Sequence, residues 1–126
     1  MAIRRVLLVD DDPNIRKLAR MSLERVGKWE VVVAESGAEA IELVSNNDLD
    51  LIILDVMMPG LDGKSTLERL KKQGINIPVI LMTAKVQTEE IEQYLSLGAL
   101  GVIMKPFDPM KLPQEISDLI NSKNDQ

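Results

Sequence analysis

The stretch LIILDVMMPGLDG, residues 51–63, decides the fold. Leu51–Leu54 is an apolar run too short for a helix and continuous rather than alternating, which is the pattern of a strand buried on both faces. Pro59 and Gly60 mark a turn, and Asp62 can cap a helix that carries Leu67 and Leu70 and ends at Gly74. Strand, turn and helix make one βα unit, with Asp55 where the strand meets the turn.

The same unit recurs in both directions. Short apolar runs stand at Val6–Val9, Val31–Ala34, Val79–Met82 and Gly101–Met104. Between the first two, Ile15, Leu18, Ala19, Leu23 and Val26 keep helical spacing, with Asp12 before Pro13 as N-cap and N1, and Gly27 as a C′ residue. Ser36 and Glu39 have capping-box spacing before Ile41 and Val44. Thr88 can cap a helix carrying Ile91 and Leu95 and ended by Gly98. Asp108 and Pro109 begin the last helix, whose face is Leu112, Ile116, Leu119 and Ile120; Pro113, at its fifth position, distorts the first turn. From Asn121 the sequence is polar and reads as fraying. Of the seven methionines, Met82 and Met104 fall in predicted buried strands, so core filling is the default reading.

Five strands alternating with five helices predict an α/β domain, a (βα)5 doubly wound parallel five-stranded sheet of flavodoxin-like order 2-1-3-4-5. The domain is placed at residues 1–122, with a polar tail at 123–126. Ligands of such sheets sit outside the carboxyl ends of the strands, where strands 1 and 3 diverge.

Composition narrows the function classes. With 126 residues, 45% hydrophobic and 28% charged, one core is expected, and with no cysteine there is no disulfide framework. A net charge of −5 disfavours a general nucleic-acid surface. Arg4 and Arg5 precede only four apolar residues before three aspartates, which is no signal peptide, and no run reaches membrane-spanning length. The sequence predicts a cytoplasmic protein with no membrane or direct nucleic-acid partner.

The strand ends carry the chemistry: Asp10 and Asp11 after strand 1, Asp55 after strand 3, Thr83 after strand 4 and Lys105 after strand 5. Three carboxylates meeting at the switch point repel one another, so they raise one another's pKa or share a hard cation, for which Mg²⁺ is best suited. Carboxylates for a cation, a lysine for phosphoryl oxygens and a further carboxylate as nucleophile make up a phosphoryl-transfer site. There is no Gly-rich phosphate cradle, so neither a P-loop nor a dinucleotide site is proposed. Asp12 reads as a helix cap rather than a metal ligand.

With VLLVDDDPNIRKL, IILDVMMPGLDG, VILMTA and GVIMKPFD at these intervals, the chain resembles, over essentially its whole length, the receiver domain of bacterial two-component response regulators, in a chemotaxis-receiver-like single-domain form. The resemblance implies a signalling module that catalyses only its own phosphorylation and slow autodephosphorylation. Asp55 is then the phosphoacceptor, Asp11 the direct Mg²⁺ ligand, Asp10 its partner acting through water, and Met57 a ligand through its backbone carbonyl. Thr83 donates to a phosphoryl oxygen, and Lys105 pairs with the phosphoryl group or, before transfer, with Asp55; a cis Lys105–Pro106 bond, frequent in the family, aims it inward. The implied donor is a phosphohistidine on a sensor histidine kinase or histidine phosphotransfer protein. The implied output is a downstream protein of unknown identity, met by a monomer or a phosphorylation-dependent dimer. Gln87, Glu90, Gln93, Tyr94 and Lys111 are candidate exposed residues of the output face, and Arg16, Lys17 and Arg20 are available to a kinase.

Two departures from the family pattern stand out. Val102 occupies a strand 5 position where receivers often carry Tyr or Phe, which removes an aromatic lever from the switch. Met57 and Lys85, two residues after Asp55 and Thr83, suit a slowly hydrolysed acyl phosphate. The competing readings are a small Mg²⁺-dependent phosphohydrolase with Asp10 as nucleophile, a receiver that only docks, and a flavin carrier. For the last, Trp29, Tyr94 and Phe107 are poorly placed to sandwich an isoalloxazine.

Overall fold

The computed structural model describes residues 3–84 and 87–124. Among them the chain runs β1 (Arg5–Val9), α1 (Pro13–Met21, continued by a π-helical turn over Ser22–Val26), β2 (Glu30–Ala34), α2 (Gly37–Asn46), β3 (Leu51–Asp55), α3 (Gly63–Lys72), β4 (Val79–Thr83), α4 (Thr88–Ser96), β5 (Gly101–Met104) and α5 (Leu112–Asn124). All strand pairs are parallel, in the order β2-β1-β3-β4-β5. This is the predicted doubly wound sheet.

Side chains alternate across the sheet, so each central strand feeds two cores. Leu7, Val9, Ile52, Leu54 and Leu81 pack with Ala40, Val44, Leu67, Leu70 and Tyr94 from α2, α3 and α4. Val6, Leu8, Leu51, Ile53, Ile80, Met82 and Ile103 pack with Ala19, Leu23, Ile116 and Ile120 from α1, its π-helical turn and α5. Asp12, Ser36 and Asp62 cap as expected, accepting from the backbone N–H of Asn14, Glu39 and Ser65.

Several local expectations are corrected. Leu18 and Val26 are 42% and 40% exposed; for Val26 the wider π turn, closed by Gly27 N–H to Ser22 O at 3.1 Å, breaks the α-helical phase on which it was placed inward, whereas Leu18 stands in the regular α1 turns before it, at the border of the buried face marked by Ala19. Gly27 is no left-handed C′ residue; Lys28 takes positive φ (62°) instead. Glycine is needed at 27 for contact, since a Cβ there would meet Leu23 O at 2.7 Å and Pro113 Cβ at 3.2 Å. α4 is preceded by Gln87 with no side-chain cap, so Thr88 is its first residue rather than its cap. In α4, Tyr94 is buried and Leu95 is 42% exposed, the reverse of the expected faces. Asp108 and Pro109 begin a separate turn, and α5 proper starts at Leu112, with Pro113 in its second position. α5 stays helical to Asn124, past the start of the polar stretch. Met104, at the carboxyl end of the edge strand β5, is 56% exposed rather than part of the core.

Candidate functional site

The parallel register brings the strand ends to one rim. Val9 pairs with Leu54, Asp55 with Met82 and Thr83 with Met104, so Asp10, Asp55, Thr83 and Lys105 follow one another along the carboxyl edge. Lys105 N–H donates to Thr83 O at 2.9 Å, extending the β4–β5 ladder to the lysine. The Lys105–Pro106 peptide is cis, as the resemblance led us to expect.

Lys105 Nζ lies 2.8 Å from Asp10 Oδ2 and 3.0 Å from Asp55 Oδ1, bridging two carboxylates that are almost fully buried. Asp10 uses its other oxygen to accept from Asp12 N–H at 2.9 Å. Asp11 is exposed at the mouth of the cluster. Thr83, 3% exposed, stands at the neighbouring strand end. Met57 contributes through its main chain, whose hydrogen bond to the Asp55 carboxylate favours the ionised form, while its side chain projects outward, 71% exposed. Lys85 lies outside the described residues.

Burial pushes the Asp55 carboxyl up to about 6; the hydrogen bond from Lys105 opposes the rise and the Asp10 charge adds to it. Burial acts to lower the Lys105 pKa, but its hydrogen bonds to Asp10 and Asp55 outweigh that and raise it, so the ammonium is held charged. The donor set fits a hard divalent ion: Asp10, Asp11 and Asp55 each offer one oxygen, all within 4.8 Å of one another. An octahedral ion with ligands at about 2.1 Å spans roughly 4.2 Å between opposite oxygens.

Two supporting features escaped the sequence reading. Arg16, expected to be available on α1, is tied down: its guanidinium donates to Asp10 O at 2.7 Å and pairs with Glu35 at 3.5 Å. Only the three-dimensional turn after β1 could have revealed that bond. Gly63 lets α3 approach the phosphoacceptor candidate, because a Cβ there would sit 2.4 Å from Asp55 O and 2.7 Å from Val56 Cα. The signal was present in the sequence, since a glycine at the first position of a helix already capped by Asp62 needs a packing reason.

Comparisons with known proteins identify the family and the fold. A family model described as the response regulator receiver domain matches residues 6–117. Response regulator SaeR of Staphylococcus aureus is 38% identical over 115 residues, covering 91% of this chain and 50% of that protein. The chain thus spans about half the length of the curated relatives it matches. Among solved structures, the receiver domain of Francisella response regulator 1452 is 37% identical with a TM-score of 0.85, covering 95% of this chain and 98% of that one. Vibrio cholerae chemotaxis protein CheY4 is 30% identical with a TM-score of 0.86, covering 94% and 99%.

Proposed function

The chain belongs to the response regulator receiver family of two-component systems, and from that premise we propose that Asp55 accepts a phosphoryl group from a partner phosphohistidine in a Mg²⁺-dependent step. The observation that carries the reading is the Lys105 ammonium bridging Asp10 and Asp55, with the Asp11 carboxylate beside them.

Bound Mg²⁺, held by Asp11, Asp55, the Met57 carbonyl and, through water, Asp10, would neutralise charge on the phosphoryl oxygens. The Asp55 carboxylate supplies the attacking oxygen; an O–P bond forms as the P–N bond breaks, and the imidazole leaves with the electron pair and takes up a proton. These 126 residues contain no histidine, so the donor lies outside them, on a sensor histidine kinase or a histidine phosphotransfer protein. Lys105 moves its hydrogen bond from the carboxylate to a phosphoryl oxygen, and the buried Thr83 hydroxyl donates to another. The change biases α4 and β5; the exposed Gln87 and Gln93 and, before α5, the exposed Lys111 belong to the face offered to a downstream protein. Tyr94 is withdrawn from that face by its burial.

The phosphohydrolase alternative, with Asp10 as nucleophile, is disfavoured by the family match, since the model that fits residues 6–117 is that of the receiver domain. No helix among the described residues is long and apolar enough to cross a membrane. The test is intact mass after incubation with a small acyl phosphate, with Mg²⁺ or chelator. One phosphoryl group is expected on wild type with Mg²⁺ and none on Asp55→Asn. An unmodified wild type favours the docking-only reading, and turnover dependent on Asp10 but not Asp55 favours the hydrolase.

A further inference from the structure

Lys105 is delivered to the site by a loop that has to be held from outside. Its segment is anchored at the start by Lys105 N–H to Thr83 O and in the middle by buried Phe107. At its far end the ordinary helical anchor is missing. Leu112 N–H donates to Asp108 O and Glu115 N–H to Lys111 O, so the donor for Pro109 O in this ladder would be residue 113. That residue is proline and has no N–H. A carbonyl orphaned in this way needs another partner.

The partner comes from the end of α1, which shares this face of the sheet with α5. The Ser22 hydroxyl donates to Pro109 O, 87 residues away in sequence, and Ser22 is 3% exposed. A helical serine or threonine commonly bonds back to the carbonyl four residues earlier, as Thr66 does to Asp62 O. Ser22 instead reaches across, and it stands where α1 widens into the π turn that brings this segment against Pro113.

We propose that Ser22 is a positioning residue for Lys105: its buried hydroxyl supplies the hydrogen bond that Pro113 denies to Pro109, and so fixes the Lys105–Pro109 segment that carries the ammonium to Asp10 and Asp55. This rests on the reading of Lys105 as a group acting on the transferred phosphoryl. The bond runs between α1 and the loop before α5 without touching any acid of the rim, so its loss leaves the carboxylates intact and loosens only the cation's support.

The test is a cycle of phosphorylation rates with a small acyl phosphate at saturating Mg²⁺, followed by intact mass. Ser22→Ala is expected to slow phosphorylation roughly three- to tenfold, the scale of one lost buried hydrogen bond acting on orientation. In a Lys105→Ala background it is expected to slow the residual rate no further. In a Pro113→Ala background, which returns an N–H to the ladder, the Ser22→Ala loss is expected to shrink. Thermal midpoints are measured alongside, because a merely structural bond would lower stability and rate by the same factor in every background. A wild-type rate in Ser22→Ala, or a fold-loss undiminished in either background, overturns the proposal. Wild type that takes no phosphoryl group, or takes it equally in Asp55→Asn, instead overturns the underlying reading.

Discussion

Replacing Asp55 with asparagine is expected to stabilise the metal-free protein at neutral pH, although it removes the residue on which the proposed function rests. The Asp55 carboxyl is raised from its ordinary 3.8 to about 6, first by burial and then by the Asp10 charge, against the pull of Lys105. A carboxyl with a folded pKa above its unfolded one holds its proton better in the fold. Its stabilising contribution is therefore complete below pH 3.8 and is lost as pH rises through about 6. The interval converts to on the order of 3 kcal/mol against the fold above pH 6. Asparagine resembles the protonated acid in shape and charge and escapes this cost, while Lys105 keeps its bond to Asp10. The assay is urea unfolding of wild type and Asp55→Asn in chelator at pH 7.5 and near pH 4. Shifted groups away from the rim, such as Asp50, whose pKa is lowered by backbone bonds from Arg5 and Arg4, are common to both proteins and cancel in the difference, and Lys105, whose pKa is raised, stays charged at both pH values. The variant is expected to gain on the order of 2–3 kcal/mol at pH 7.5 and little near pH 4. Mg²⁺ at ten times its dissociation constant is expected to return about 1.4 kcal/mol to wild type and less to the variant. A variant less stable than wild type at pH 7.5, or a difference that does not change with pH, refutes the reasoning.

Three further outcomes are expected. Gly63→Ala places a methyl 2.4 Å from Asp55 O and 2.7 Å from Val56 Cα, both backbone, so thermal unfolding is expected to show a loss of about 2 kcal/mol or more, with slower phosphorylation of the displaced Asp55. Met57→Asn is expected to speed loss of the acyl phosphate severalfold, because an exposed amide next to Asp55 can orient water where a thioether cannot; equal decay in the two proteins refutes this. Asp12→Ala removes the α1 cap and is expected to cost about 1 kcal/mol in urea unfolding with little change in Mg²⁺ affinity; a large change in affinity would instead make Asp12 a ligand.

The strands and the site were legible for the same reason. A strand buried on both faces has to be apolar throughout, so the first polar residue after each run marks its carboxyl end, and a parallel sheet gathers those ends on one rim. Asp10, Asp55, Thr83 and Lys105 were therefore placed by counting. Helix faces were less legible where the period failed. Val26 obeys a 3.6-residue repeat that the π turn at Ser22–Val26 abandons, and nothing in SLERV announces that turn. Tyr94 and Leu95 are adjacent on α4, so a small rotation of the helix exchanges which of them is buried. Met104 reads as core because a continuous apolar run does not show which of its residues the flanking helices cover, even where the predicted order already puts β5 at the edge. Long-range polar bonds were illegible in principle, since Arg16 to Asp10 O and Ser22 to Pro109 O depend on how loops meet.

The electrostatics of the rim link its stability to its proposed chemistry. Three carboxylates face one ammonium, which leaves the metal-free cluster with more negative charge than its own groups can balance. Asp55 feels this most directly through its surroundings: burial first, and then the Asp10 charge, raise its pKa against the pull of Lys105. At neutral pH it is still ionised, but its charge is poorly solvated, which is the condition of a carboxylate that gains by sharing its charge with a cation or an electrophilic phosphorus. Phosphorylation would add a further negative charge at the same point, so the phosphorylated site cannot keep the metal-free arrangement of Lys105 between Asp10 and Asp55. The ammonium must redistribute toward the phosphoryl oxygens, and whatever holds its loop then governs how far it moves. A switch built this way draws its driving force from charge the fold has already buried, and needs no aromatic lever at Val102 to begin moving.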